Sequence, residues 1–139
     1  MRQEDHLLHY FKKMHDKVEK QGNASLKEIG LTLAQGHILG YLHHSEGYMA
    51  PLKEIERRMK VAQSTTAGMV SRLEHNGFVE TKEDSVDKRI KIVVLTERGL
   101  ESTQYIKASM DEIQNQVLSN LTDEEKESLM ELLKKVTKD

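Results

Sequence analysis

The spacing of apolar residues predicts a chain of helices interrupted by a single hairpin. Apolar side chains recur at every third or fourth position through most of the 139 residues, which is the period of an amphipathic helix. We predict that Gly22-Asn23 ends the first helix, that Gly47 ends the second and that Pro51 opens the third. The predicted helices span about residues 4–20, 32–45, 51–59, 63–76, 97–119 and 122–138.

Residues 61–78, VAQSTTAGMVSRLEHNGF, form the most informative of these helical segments. The helical period places one stripe of the helix inward, at Ala62, Thr66, Met69, Val70 and Leu73. It places small or polar side chains outward, at Ser64, Ala67, Gly68, Ser71, Arg72 and His75. Gln63 or Ser64 is expected to open the helix, and Asn76-Gly77 to close it. The outward face has almost no carboxylates, so it suits a DNA major groove, although an ordinary water-facing helix has the same period.

The preceding and following segments extend this helix into a larger motif. The short helix 51–59 and a turn at 60–63 complete a helix-turn-helix, in which the second helix normally reads DNA. Residues 78–82 and 89–95 then read as a hairpin, because Ile90, Ile92 and Val94 alternate with Arg89, Lys91 and Val93 and are expected to face inward. A hairpin directly after a helix-turn-helix is a wing, and its predicted tip carries Asp84, Asp87, Lys88 and Arg89. The alternative is a hairpin that covers the core and leaves its tip in water.

The two ends of the chain carry more apolar surface than one subunit could bury. The first helix has a stripe at Leu7, Phe11, Met14 and Val18, which Leu8 and Tyr10 broaden. Thr96 opens the fifth helix, and the capping box Thr122-Asp-Glu-Glu125 opens the last helix. The last helix is predicted to turn four side chains inward, at Leu129, Leu132, Leu133 and Val136. This surplus predicts a homodimer.

Composition and charge narrow the class of protein. The chain is 37% hydrophobic and 32% charged with a net charge of −2, which fits one domain with helical extensions. Residues 51–98 contain ten Lys and Arg against eight Asp and Glu, so positive charge is modestly concentrated in the predicted winged segment. There is no cysteine, no signal-peptide core and no apolar run of the ~20 residues that span a bilayer. We therefore expect a cytoplasmic protein without disulfides or membrane contact.

Four segments of the chain are distinctive: LEHNGFVE at 73–80, DSVDKR at 84–89, LTERG at 95–99 and LTDEEKESLMELLKK at 121–135. In these segments the chain resembles the multiple-antibiotic-resistance regulator (MarR) family of bacterial transcription factors. This resemblance implies a mainly α (α+β) fold, with a winged helix-turn-helix over about residues 48–98 in a single domain of residues 1–139. It also implies dimerisation helices over about residues 4–20 and 99–138. In the family the wing carries a D-x-R element, which here is Asp87-Lys88-Arg89.

The residues expected to contact DNA lie on the recognition helix and the wing. They are Gln63, Ser64, Thr65, Ser71, Arg72, Asp87, Lys88 and Arg89. A guanidinium suits a narrow minor groove, and Asp87 can hold that of Arg89 in place. Arg72 is expected to bind a phosphate, or alternatively to pair with a carboxylate near Glu74 or in the wing.

Seven histidines raise the question of a metal or small-ligand site. Zinc-sensing relatives place a zinc ligand where His37 stands, with an acidic residue just before it and histidines on the long helix. Here Gly36 precedes His37, and residues 97–119 contain no histidine. A stable zinc site needs about four convergent ligands, so we expect no metal and no cofactor. Met14, His37 and Tyr41 could line a cleft for a small aromatic or anionic effector, or simply pack in the core.

These observations predict a dimeric, sequence-specific DNA-binding regulator. We expect a repressor on a pseudo-palindromic operator that a small ligand relieves. The alternative is a winged-helix module for protein–protein contact, although such a module has no need for the cationic residues Arg72, Lys88 and Arg89. No nucleophile–base pair or phosphate loop is evident, so an enzyme is not expected.

Overall fold

A computed structural model describes residue 2, residues 6–59 and residues 63–138, without the side chains of Gln63 and Ser64. The predicted inward position Ala62, residues 60–62 of the predicted turn and residues 4 and 5 of the first predicted helix therefore lie outside the described residues. The described chain contains helices α1 (Leu7–Lys27), α2 (Leu33–His43), α3 (Leu52–Met59), α4 (Gln63–His75), α5 (Glu97–Val117) and α6 (Asp123–Thr137). It also contains strands β1 (Met49–Pro51), β2 (Val79–Glu83) and β3 (Lys91–Leu95). No helix among these described residues has the length and apolar character needed to cross a membrane.

Helix α1 is longer than the sequence predicts, because Gly22-Asn23 does not end it. Gly22 is buried against α2, and a Cβ there would lie 3.0 Å from Cδ1 of Leu33. Asn23 accepts a hydrogen bond through Oδ1 from the backbone N–H of Leu33 at 2.7 Å. Both residues serve the contact between α1 and the start of α2, so tertiary packing outweighs their weak helix propensity. The predicted break was wrong.

Helix α2 and the adjacent elements form the core. Thr32 and Gln35 make a reciprocal capping box that starts α2, and the helix ends at His43, before Gly47. The largest fully buried side chains come from α1, α2, α3, α4, the sheet and the residue just before β2. They are Phe78, Leu26, Ile38, Leu39, Leu42, Ile55, Leu73, Val70, Val79, Val93 and Thr66. The winged head is therefore packed directly on the first two helices.

The sheet is antiparallel with strand order β1-β3-β2 and corrects two predictions. Pro51 is the last residue of β1, opposite Ile92, and does not lie in the first turn of α3. An edge strand tolerates proline because its missing N–H is not needed by a second neighbour. The inward face of β3 was also wrong: Val93 and Leu95 are buried together with Ile92, whereas Ile90 is 39% exposed.

The C-terminal helices begin where predicted. Thr96 accepts a hydrogen bond from the N–H of Gly99, and Thr122 forms its capping box with Glu125. The prediction that α6 turns its apolar side inward is wrong within one chain, since Leu132 is 59% and Val136 is 71% exposed. A single subunit presents no element to cover these side chains in its described part.

Candidate nucleic-acid interface

Helix α4 has the two faces that its sequence predicts. Thr66, Met69, Val70 and Leu73 are buried in the core. On the other side Thr65, Ser71 and Arg72 are exposed, and Ala67 and Gly68 are partly exposed. A Cβ added at Gly68 would meet nothing within 4 Å, so the space beyond the backbone is open. This face can receive another surface at close range.

The wing tip holds its arginine in a defined orientation. Nε of Arg89 donates to Oδ1 of Asp87 at 3.1 Å, and Nη2 donates to Oδ2 at 3.1 Å. The backbone N–H of Arg89 also donates to Oδ1 of Asp87 at 3.0 Å. The Arg89 side chain is nevertheless 91% exposed, so the pair fixes a guanidinium that stays open to an incoming acceptor.

The same contact changes the acidity of both wing residues. The hydrogen bonds from Arg89 lower the pKa of the Asp87 carboxyl, and Lys53 on α3 adds a smaller attraction. The carboxylate in turn raises the pKa of the Arg89 guanidinium. The lowered pKa means that Asp87 stays ionised, and can hold Arg89, to a lower pH than an ordinary aspartate would.

A second acid, Asp84, shapes the loop of the wing. Its Oδ2 accepts hydrogen bonds from the N–H groups of Val86 at 3.1 Å and Asp87 at 3.0 Å. Backbone bonds between Asp84 and Ile90 and between Ile90 and Asp87 close the loop. Asp84 thus faces its own loop and leaves the cationic residues Lys88 and Arg89 on the outside, where both are exposed.

Glu74 joins the end of α4 to the wing, a role that the sequence did not indicate. Its Oε2 accepts hydrogen bonds from the N–H of Thr81 at 2.9 Å and from the Thr81 hydroxyl at 2.6 Å. The Thr81 hydroxyl lowers the pKa of this carboxyl. The alternative in which Arg72 pairs with a carboxylate is not realised, since Arg72 makes no ion pair with any described residue. Its guanidinium is left available for a phosphate.

The LTERG run also proves to be a contact with α4. The Thr96 hydroxyl donates to the carbonyl of Gly77 at 2.6 Å, just after α4 ends. Gly77 has φ +84°, the left-handed conformation that glycine adopts without strain. Nη1 of Arg98 donates to the carbonyl of Asn76 at 2.8 Å, and its guanidinium carbon lies 4.5 Å from the centroid of the Phe78 ring. The sequence did not indicate this junction, because Arg98 and Asn76 lie 22 residues apart on separate elements.

The structure brings Thr65, Ser71 and Arg72 together on the open side of α4, and Asp87, Lys88 and Arg89 together on the wing. Gln63 begins α4, but its side chain and that of Ser64 lie outside the described residues. Within the described chain, no group of three or more His, Asp or Glu side chains is arranged to hold a metal ion.

The predicted effector residues are only partly brought together. An open cleft of about 1080 Å³ lies between α1, the start of α2 and α4, and His15, Lys27, His37 and Arg72 contribute to its lining. His37 and Tyr41 share a second, smaller cleft of about 410 Å³. Met14 lines neither cleft and is 39% exposed on α1. The grouping of Met14 with His37 and Tyr41 is therefore not supported by the geometry.

Comparison with known proteins agrees with this arrangement. A family model described as the MarR family matches residues 31–91. The uncharacterized HTH-type transcriptional regulator YwoH of Bacillus subtilis (strain 168) is 31% identical over 129 residues, covering 93% of this chain and 92% of that protein. A probable transcriptional regulator from Pseudomonas aeruginosa has 25% identity and a TM-score of 0.84, over 97% of this chain and 99% of that chain.

A structure that contains DNA is also similar. A mutant of MarR from E. coli, in complex with operator DNA, has 25% identity and a TM-score of 0.81, over 94% of this chain and 93% of that chain. Regulators of this kind are not enzymes, which confirms the expectation drawn from the sequence. The predicted winged helix-turn-helix fold is confirmed as well. The chain belongs to the MarR family and is a DNA-binding transcriptional regulator.

Proposed function

We propose that the protein is a cytoplasmic homodimeric repressor that binds a pseudo-palindromic operator and releases it when a small ligand binds. The carrying observation is the combination of an open α4 face with a wing arginine held outward. Arg89 is fixed by Asp87 yet 91% exposed, and Gly68 leaves the middle of α4 open. A solvated hairpin with only a covering role has no use for an oriented, exposed guanidinium.

Exposed apolar side chains at both ends of the chain support the dimer. Leu8 is 73% exposed on α1, and Val136 is 71% exposed on α6. Others of the same kind on these two helices are Leu7, Tyr10, Phe11, Met14, Met130 and Leu132. Burial of such side chains contributes roughly 1.5–3 kcal/mol each. A dimer in which a second copy covers them would therefore be strongly stabilised. Two-fold symmetry would then present two α4 helices to DNA.

The position of each residue on α4 supports a specific role in DNA binding. We assign the N-terminal turn of α4, with Gln63, Ser64 and Thr65, to the base edges and phosphates that meet its free N–H groups. Ser71 lies on the same open face, and Arg72 binds a backbone phosphate. The two helices of the dimer enter successive major grooves about 34 Å apart.

The wing takes the flanking minor groove. Arg89 inserts there, Asp87 orients it and Lys88 attracts the adjacent phosphate. Because the outward side chains of α4 are small, the wing carries a large part of the affinity.

The larger cleft is the proposed effector site. Its lining joins α1 and α2 to α4, so a ligand there contacts both the dimerisation and the DNA-reading parts of the chain. Two cationic side chains, Lys27 and Arg72, and one carboxylate, Glu19, line the cleft, and this balance favours a small anionic ligand. A ligand lowers operator affinity only if it binds the free protein more tightly than the DNA-bound protein.

A fluorescence anisotropy titration tests the DNA-binding part of the proposal. The probe is a labelled duplex from the region upstream of the protein's own gene, titrated over a series of salt concentrations, with a scrambled duplex of equal length as control. We expect the upstream duplex to bind at least about a thousandfold more tightly than the control, the lower end of the range for specific recognition. Equal binding to the two duplexes would refute sequence-specific regulation.

Two further measurements test the dimer and the effector. Sedimentation at micromolar concentration should give twice the 16.0 kDa chain mass, and a monomer would contradict the proposal. Benzoate serves as the first anionic aromatic probe. It should reduce operator binding by the parent protein, and less so by Lys27→Ala, because Lys27 lines the larger cleft and not the smaller one. Identical release from both proteins would exclude this cleft as the site of action.

A further inference from the structure

The junction between α4 and α5 is built more tightly than a simple connection requires. Arg98, in the first turn of α5, reaches back to the end of α4. It donates a hydrogen bond to the carbonyl of Asn76 at 2.8 Å and covers the ring of Phe78, with its guanidinium carbon 4.5 Å from the ring centroid. The carbonyl is one that α4 leaves without an intrahelical partner, so Arg98 both caps α4 and ties it to α5.

Neighbouring contacts support the same junction. The Thr96 hydroxyl donates to the carbonyl of Gly77 at 2.6 Å and accepts from the N–H of Gly99 at 3.1 Å. The N–H of Thr96 donates to the carbonyl of Phe78 at 3.1 Å. A Cβ at Gly99 would collide with that same carbonyl, so the first turn of α5 lies directly against the chain that leaves α4.

The length of α5 makes the angle at this junction matter for DNA binding. Its 21 residues span about 31 Å, and a rotation of about 10° at one end moves the other end by about 5 Å. One base pair added between two operator half-sites moves them apart by about 3.4 Å and turns them by about 35°. A looser junction would therefore weaken the dimer's discrimination between half-site spacings, and a stiffer junction would strengthen it.

We propose that Arg98 is a positioning residue that fixes the angle between the recognition helix and the dimerisation helices, and thereby sets the half-site spacing that the dimer accepts. This inference rests on the proposed homodimer bound to two half-sites. Arg98 acts through Asn76 and Phe78 and makes no contact with DNA. It differs in this respect from Arg72 and Arg89, whose guanidinium groups are directed to phosphate and minor groove.

The test starts from the upstream duplex that the parent dimer binds, called the selected operator. This duplex is compared with duplexes that have one base pair inserted or deleted between the half-sites. Each is titrated by anisotropy with the parent dimer, with Arg98→Ala, with Arg98→Lys and with Lys107→Ala as the control. Lys107 is a matched cation on α5 that bonds only within its own helix, to Asp111 at 3.5 Å. Arg98→Met keeps the apolar stem against Phe78 and replaces Arg98→Ala if that variant does not fold.

We expect Arg98→Ala to discriminate less between half-site spacings while keeping all of its phosphate contacts. The parent and Lys107→Ala should bind the altered spacings about tenfold or more weakly than the selected one, and Arg98→Ala should reduce that ratio to about threefold or less. Arg98→Lys should restore much of the ratio, because an ammonium group can still reach the Asn76 carbonyl. The slope of log affinity against log salt should be the same for Arg98→Ala and the parent.

Three other results would overturn the inference. A salt slope reduced by about one unit per half-site, with the spacing ratio intact, would make Arg98 a direct phosphate contact. An unchanged ratio and slope, or a parent that tolerates all spacings, would show that the junction does not set the spacing. Failure of the parent to bind any operator would instead refute the proposed function, which keeps the two conclusions separate.

Discussion

Gly68 on α4 provides the sharpest test of the DNA-facing surface, because Gly68→Ala should change stability and DNA binding in opposite directions. Glycine inside a helix is less favourable than alanine by about 0.5–1 kcal/mol, and an added Cβ here meets no atom within 4 Å. The free energy of unfolding should therefore rise by about that amount, or by roughly 2–5 °C in Tm. The same methyl group would stand between α4 and an approaching DNA surface.

The cost to binding can be estimated from overpacking. A methyl forced into a closely packed contact costs about 1–3 kcal/mol, which corresponds to about a 5- to 150-fold loss of affinity per half-site. Gly40→Ala on α2 is the matched control, since a Cβ there also meets nothing within 4 Å and the residue is also inside a helix. Gly40→Ala should gain the same stability and keep the parent's operator affinity.

The assay combines urea unfolding at fixed protein concentration with anisotropy on the operator duplex. Fixed concentration is needed because the stability of a dimer depends on mass action. If Gly68→Ala bound operator as tightly as Gly40→Ala, the open face of α4 would not approach DNA closely. A stability loss in Gly68→Ala would show that the space around its Cβ is occupied, for example by the partner subunit.

Three further predictions concern the wing, the junction and the histidines. Because the pKa of Asp87 is lowered, its contact with Arg89 is fully present above the ordinary aspartate pKa of about 4 and is lost as the pH falls through the lowered value. An NMR titration of Asp87 should therefore give a midpoint below the ordinary value. Arg89→Ala should raise that midpoint towards the ordinary value. Gly99→Ala should lower the free energy of unfolding by about 1–3 kcal/mol in urea unfolding, because its Cβ collides with the Phe78 carbonyl, and parental stability would contradict the tight junction. Treatment with a metal chelator should leave operator binding unchanged, whereas recovery of lost binding on addition of stoichiometric zinc would contradict the absence of a metal requirement.

Several elements of the fold could be predicted because their signals are local. The buried stripe of α4 follows from the helical period, and the starts of α5 and α6 follow from the hydroxyls of Thr96 and Thr122. The course of α1 could not be predicted, because Gly22 and Asn23 are helix breakers by propensity alone. Only the position of Leu33, ten residues away from Asn23, gives these residues a reason to stay helical.

The face of β3 was mispredicted because the sequence has no strict alternation there. Four apolar residues in succession, Ile92 to Leu95, fit either register, and Ile90 favoured the wrong one. The adjacent residues Ile92 and Val93 point to opposite faces of β3 and both are buried, so neither face of the strand is left to water. The pattern along a single strand does not reveal its place in the sheet.

The candidate site divides in the same way between local and distant contacts. Asp87 and Arg89 are two residues apart, so their pairing could be inferred from the sequence, and the geometry agrees. The bond of Glu74 to Thr81 and that of Arg98 to Asn76 join separate elements and have no periodic signature. Contacts that set the angles between elements are therefore the part of this site that only a structure supplies.

The small outward side chains of α4 also determine how the operator can be read. Ala67 and Gly68 offer no side-chain donor to a base edge, so under the proposed function we expect DNA shape at the wing to supply much of the selectivity. Arg89 favours a narrow minor groove, which A·T-rich flanks provide and G·C-rich flanks do not.

Arg89→Ala should weaken binding to the parental operator by about 1–3 kcal/mol per half-site and flatten the salt slope by about one unit per half-site. Asp87→Ala should weaken binding less, because Asp87 only orients the guanidinium. Replacing A·T-rich flanks with G·C-rich flanks should then reduce the affinity of the parent but hardly that of Arg89→Ala, as measured by anisotropy. An equal reduction in both proteins would mean that another part of the molecule reads the flanks. If folded, dimeric Arg89→Ala bound the operator as tightly as the parent, the wing would not read DNA.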